Sequence, residues 1–80
     1  MDKQQIEEKV FSAFATTYKK DANALNRDTK IREDLSPKSI LMVGLVSLIE
    51  NEFDVLIPLP EASKMSTIGD MIDRTASELA

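Results

Sequence analysis

Apolar and polar positions along the chain fall into three helical repeats. In residues 2–18, Ile6, Val10, Phe14 and Tyr18 recur every fourth residue, with Ala13 and Thr17 widening the stripe. Asp2, Glu7 and Glu8 lie early in this stretch and Lys19 and Lys20 close it, which suits a helix dipole. A second apolar run extends from Ile40 to Phe53 and is closed by Pro58. At 100° per residue, Met42, Leu45, Val46, Ile49 and Phe53 share one side and should face a core. Ser36 is expected to cap this helix, with Pro37 at its first position, where a missing N–H costs nothing. A third stripe, Ile68, Met71, Ile72, Thr75, Ala76 and Leu79, follows Thr67, an expected N-cap with Asp70 three residues on as an approximate capping box.

Between these repeats the pattern breaks. Residues 19–36 form a long connection rich in Asn, Asp, Lys and Thr. So long a loop in a small domain needs anchors, and Leu25, Ile31 and Leu35 are the candidates, with one short helical turn expected near Leu25. Pro58 and Pro60 are too close to lie within a helix interior, so a single short turn is expected over Glu61–Met65. No segment alternates with period two, and no sheet is expected. The predicted fold is all-α: a bundle of three longer helices and one short one with a long first loop, as one domain over residues 1–80.

The outer side of the central helix departs from the usual amphipathic pattern. Ile40, Val43, Gly44, Ser47 and Asn51 lie there, and they are small or apolar where Lys and Glu would be normal. Ile40 and Val43 could simply pack under a loop, or the face could meet a partner. Ser39 stands beside it in the first turn. A hydroxyl there can be one more capping group, or it can carry a phosphoester, which gains from free N–H groups and the positive end of the dipole.

The order of residues here resembles the acyl carrier protein family. Asp34, Leu35, Ser39 and Ile40 give its Asp-Leu-x-x-x-Ser-Ile order. After a helix, Glu50, Glu52, Phe53, Asp54, Ile57 and Pro58 give its Glu-x-Glu-Phe-Asp-x-x-Ile-Pro order. The register continues without a gap through Lys64, Met65, Thr67, Ile68 and Ile72, and is weak before Leu25. The resemblance implies a four-helix carrier fold and a 4′-phosphopantetheine arm on Ser39, attached by a phosphopantetheinyl transferase. It also implies acyl cargo held on the arm as a thioester, and acyl-transferring and chain-elongating enzymes as partners. Docking is then expected on the helix that follows, at Lys38, Ile40, Leu41, Val43, Gly44, Ser47, Glu50 and Asn51. This chain departs from the family in charge. Lys38 stands where an aspartate usually precedes the serine, and Leu41 and Gly44 occupy positions that are often acidic. Among fatty-acid, specialised-lipid and secondary-metabolite pathways, those departures point to the specialised ones. The alternative from another class is a small helical interaction module that uses the same face without a prosthetic group.

Composition narrows the chemistry further. The chain of 80 residues has neither histidine nor cysteine, so it lacks the usual general base, the usual nucleophile partner and thiolate metal ligands. It is not expected to be an enzyme. Glu50, Glu52 and Asp54 lack the glycine and spacing of a calcium loop, and no metal is expected. Gly44 and Gly69 belong to no phosphate-cradling motif. The net charge of −4 argues against nucleic acid. The basic cluster Lys19, Lys20, Arg27, Lys30 and Arg32 has no interleaved aromatics for base stacking and is expected to be a solvated loop surface. The first helix has a polar face of mixed sign, unlike a membrane-surface helix. No stretch approaches the ~18 apolar residues of a membrane span, and MDKQQIEEKV lacks a signal-peptide core. The expectation is a cytoplasmic monomer.

Overall fold

The computed structural model describes residues 1–80. The chain runs through α1 (Lys3–Tyr18), a 3₁₀ turn (Ala22–Ala24), a π-type turn (Ile31–Leu35), α2 (Ser39–Phe53), α3 (Leu59–Ala62) and α4 (Ile68–Leu79). It is all-helical, with three longer helices and one short one, as the repeats require. No helix is long and apolar enough to cross a membrane.

Each long helix buries the stripe its sequence marks. α1 buries Ile6, Val10, Phe14 and Tyr18, with the Phe14 and Tyr18 rings stacked at 5.8 Å. α2 buries Met42, Leu45, Val46, Ile49 and Phe53. α4 buries Ile68, Met71, Ile72 and Thr75, and the Thr75 hydroxyl is satisfied by the Met71 carbonyl one turn back, at 2.8 Å. Ile31 from the first loop, Ile57 after α2 and Ala62 of α3 complete the core. Ala76 is half-buried, whereas Leu79, the last residue of α4, is exposed.

Two of the helix ends rest on reciprocal caps. The Asp2 carboxylate accepts from Gln5 N while the Gln5 side chain accepts from Asp2 N. Thr67 and Asp70 form the same box at α4. α1 and α2 both end on a non-glycine residue in the left-handed region, Lys19 (φ 57°) and Asp54 (φ 55°).

The structure corrects three expectations. α2 begins at Ser39, not at Pro37. Ser36 is extended, a conformation favoured before proline and equally compatible with a cap, so the later start has other causes. Its N–H closes the π-type turn on Ile31 O, and its hydroxyl accepts from Lys38 N in a local turn that competes with helix entry. The short helix spans Leu59–Ala62 rather than Glu61–Met65, because Pro60 sits in its first turn, where no N–H is needed. The first loop holds two helical turns instead of one.

That loop is held by more than apolar anchors. Ile31 N donates to Ser66 O, Ile68 N to Thr29 O and Gly69 N to Arg27 O, at 2.9, 3.1 and 2.9 Å. With the isolated antiparallel bridge between Lys30 and Thr67, these bonds clamp the loop to the start of α4. Arg27, expected on a solvated loop surface, is partly exposed there and pairs with Asp73 on α4 and Glu7 on α1. Its hydrogen bond, aided by Lys3, holds the Asp73 carboxyl below the usual carboxylate range.

The clamp generates a paired expectation. A Cβ on Gly69 would lie 2.9 Å from Arg27 O, a backbone atom that cannot give way without opening the clamp. A Cβ on Gly44, in the exposed middle of α2, would meet only Thr17 Cγ2 at an ordinary 3.7 Å. Denaturant melts should show Gly69→Ala losing about 1–3 kcal/mol to overpacking and Gly44→Ala gaining about 0.5–1 kcal/mol from helix propensity.

Candidate functional site

The first turn of α2 differs from those of α1 and α4. Its N-cap is Lys38, extended at φ −71°, ψ 121°, and Lys38 makes no side-chain capping bond. The N–H groups of Ser39 and Ile40 meet no oxygen of the protein. A helix start with free donors carries partial positive charge. Ser39 is the first residue of this turn and is exposed. Its hydroxyl therefore lies on the surface, at the positive end of a helix that no side chain has neutralised.

The first loop builds the surroundings. Ile31, fully buried, fixes one end of the π-type turn. The Asp34 carboxylate accepts from Lys30 N at 2.8 Å, tying the turn back on itself. Ser39 opens onto a cavity of about 80 Å³ whose polar lining comes from Tyr18, Arg32, Ser36, Lys38, Ser39 and Ser63. Two cations and no carboxylate line it. Arg32 reaches across to Met65 O at 3.3 Å. Tyr18 is only 7% exposed, and its hydroxyl is buried with no hydrogen-bond partner. Burial pushes the phenol above its ordinary pKa, and the Arg32 guanidinium nearby partly offsets this.

The residues expected on the docking face do not all lie together. Ile40, 72% exposed, Val43, Ser47 and Asn51 are open to solvent on the outer side of α2. Gly44, also exposed, is turned towards Thr17 of α1. Leu41 is half-buried and packs against the core. Glu50 is drawn inward, and its carboxylate accepts from Ile57 N at 2.9 Å, fixing the chain as it leaves α2. Lys38 stands at the helix start beside Ser39.

Sequence reasoning missed part of this surface. Leu56, 72% exposed, and Leu59 extend the apolar strip beyond α2. With Val43, Ser47 and Pro58 they edge an open groove of about 300 Å³. The signal was present: two leucines flank a proline in a segment too short to bury both. Leu48 is exposed on the α1 side, where the helical period places it away from the inner stripe. Tyr18 also carried a signal, since a phenol on an otherwise apolar stripe needs a partner for its hydroxyl.

No family model matches the chain. Individual relatives do. A protein of Chlorobium phaeobacteroides (strain DSM 266 / SMG 266 / 2430) named acyl carrier protein is 36% identical over 73 residues, spanning 91% of this chain and 94% of the relative. The chain belongs to the acyl carrier protein family. Proteins of the same name from Rickettsia canadensis (strain McKiel) and Rickettsia typhi (strain ATCC VR-144 / Wilmington) are each 37% identical over 68 residues, 85% of this chain and 79% of theirs. Among acyl carrier proteins, then, this member begins α2 with a lysine as N-cap, a residue type that can neither cap the turn nor complement its dipole.

Restoring a cap should be measurable. Lys38→Asp replaces a cation at a positive helix end by a side chain that can accept from the free Ile40 N–H, at the second position of the helix. The denaturant midpoint should rise by the equivalent of about 1 kcal/mol, more than a dipole effect alone provides, because Lys38 is itself the cap position. A melt in which Lys38→Asp is less stable than the parent would show that the turn is satisfied by other means.

Proposed function

We propose that this protein carries acyl groups, using a 4′-phosphopantetheine arm on the Ser39 hydroxyl, and that residues 1–80 act as one carrier domain. Family membership supports the carrier role. The single structural observation that supports Ser39 is its place: an exposed hydroxyl at the uncapped N-terminus of α2. A phosphodiester there meets the N–H groups of Ser39 and Ile40 and the helix dipole, a gain of roughly 0.3–1 kcal/mol from the dipole alone. Lys38 and Arg32 add positive charge around it. When bound, the arm supplies a terminal thiol on which an acyl group is held as a thioester.

The protein's own residues position and present the arm and catalyse nothing. Loading requires the Ser39 oxygen to form a bond to the phosphorus of coenzyme A that bears pantetheine. The bond from that phosphorus to the bridging oxygen breaks, and adenosine 3′,5′-bisphosphate leaves with the electron pair. The serine proton passes to a base of the transferase, since this chain has no histidine to take it. Ile40, Val43, Ser47 and Asn51, continued by Leu56 and Leu59, form the face on which the transferase and acyl-transferring or chain-elongating enzymes dock. That face is nearly uncharged, so encounter depends on apolar contact more than on long-range steering. This favours a partner set of its own, in a specialised-lipid or secondary-metabolite pathway.

One loading experiment tests both parts. With coenzyme A and a broad-specificity phosphopantetheinyl transferase, the parent should gain the mass of one phosphopantetheinyl group, and folded Ser39→Ala should gain none. Val43→Asp should load at Ser39 with kcat/KM reduced several-fold, in the way that a charge buried at a contact weakens an interface. A parent that never gains mass is instead an interaction module without a prosthetic group. Modification of folded Ser39→Ala would move the site elsewhere.

A further inference from the structure

The Tyr18 hydroxyl has no role in holding the fold. It is buried and makes no hydrogen bond, while the ring that bears it stacks on Phe14 in the buried stripe shared with Ile6 and Val10. A leucine or phenylalanine would fill the same space without leaving a polar atom unpaired. What the hydroxyl does have is a place. Tyr18 lines the small cavity onto which Ser39 opens, close to Arg32.

The lining specifies the chemistry of the missing acceptor. The phenol is protonated at neutral pH, as any tyrosine is, and burial raises its pKa further, so it is a donor. Arg32 has five N–H donors, and one of them is engaged by Met65 O. Lys38 and the hydroxyls of Ser36 and Ser63 complete a rim that contains no carboxylate, in a chain whose net charge is −4. Donors and positive charge converge there, and an anion is what they lack. The cavity, at about 80 Å³, is the smallest of the four surface depressions, the others measuring about 300 to 430 Å³. It suits a compact charged group rather than an acyl chain.

We propose that Tyr18 and Arg32 form a phosphate-holding subsite, into which the phosphodiester on Ser39 turns, the phenol donating to a phosphate oxygen and the guanidinium neutralising the charge. The subsite rests on the reading of Ser39 as the attachment point. It adds that the base of the arm is fixed against the bundle at the end of α1, so that only the pantetheine portion swings. Tyr18 is a positioning residue here, and takes no part in bond making.

The test uses the protein's one tyrosine in the absence of tryptophan. Tyrosine emission is recorded before and after complete loading of the parent, with mass spectrometry as the control for loading. The ³¹P resonance of the loaded parent is compared with those of loaded Tyr18→Phe and Arg32→Gln. Emission should fall on loading, as the phenol gains a phosphate partner. The phosphorus line should move by more than its width in each variant, once each has been driven to complete loading and shown to be folded. Full loading with unchanged tyrosine emission overturns the subsite and leaves the proposed function standing. So does an unchanged phosphorus line in folded Tyr18→Phe, or in Arg32→Gln if the first variant does not fold. Failure of the parent to load overturns the proposed function and the subsite together.

Discussion

The geometry of this protein depends on a short backbone clamp. Residues 27–31 of the first loop exchange three hydrogen bonds with residues 66–69 at the start of α4. Without them, the connection from Tyr18 to Ser39 would be held by apolar side chains and a few solvent-accessible polar contacts of Arg27 and Arg32, which offset little of its ordering entropy. With them, Ile31 is delivered into the core, the π-type turn forms behind it, and Ser36–Ser39 is carried past the end of α1. Gly69 is what lets the two backbones approach, since any side chain there would meet Arg27 O. The pairing of Arg27 with Asp73 lies over the same junction, but it is exposed and contributes as a supplement rather than a cause.

Downstream of the clamp, a deliberate-looking omission becomes intelligible. α1 and α4 close their first turns with reciprocal side-chain caps, while α2 leaves its donors open and places a lysine at the cap. Local stability is given up at the one helix start that carries an exposed serine. Free N–H groups, a dipole end, Lys38 and Arg32 concentrate positive potential in a protein that is acidic overall. On the proposed reading this is pre-organisation for a phosphodiester, and departures from local rules are expected to cluster at such sites. The opposite end of α2 is treated differently. There Glu50 satisfies Ile57 N and so anchors the exit of the helix, leaving the apolar strip from Ile40 to Leu59 as an outward face.

The parts that were legible in the sequence are those set by local periodicity and local capping. The five inner residues of α2, the four of α1 and the Thr67–Asp70 box follow from spacing alone. Ser39 is singled out in the sequence by the distinctive order of residues around it, and in the structure it is exposed at the start of α2. The start of α2 was not legible, because Ser36 and Pro37 carry the usual signature of a helix start. What competes with it is a local turn closed on the Ser36 hydroxyl by Lys38 N, together with the π-type turn that ends on Ser36 N and lies beside a clamp to residues more than thirty positions away. The inward turn of Glu50 was not legible, because it depends on how the chain bends back after α2 to bring Ile57 N to the carboxylate. Tyr18 left a partial signal, a phenol on an apolar stripe, but the absence of a partner for its hydroxyl shows only once the elements are packed together.

The central claim is that the open first turn of α2 receives the phosphodiester on Ser39. Amide ¹H–¹⁵N spectra of the protein before and after loading examine this most directly. The account predicts that the largest changes fall on the N–H groups of Ser39 and Ile40, moving downfield as they gain an anionic acceptor, with core amides of α1 and α4 left nearly in place. Loading that leaves those two amides unmoved while others shift would contradict it.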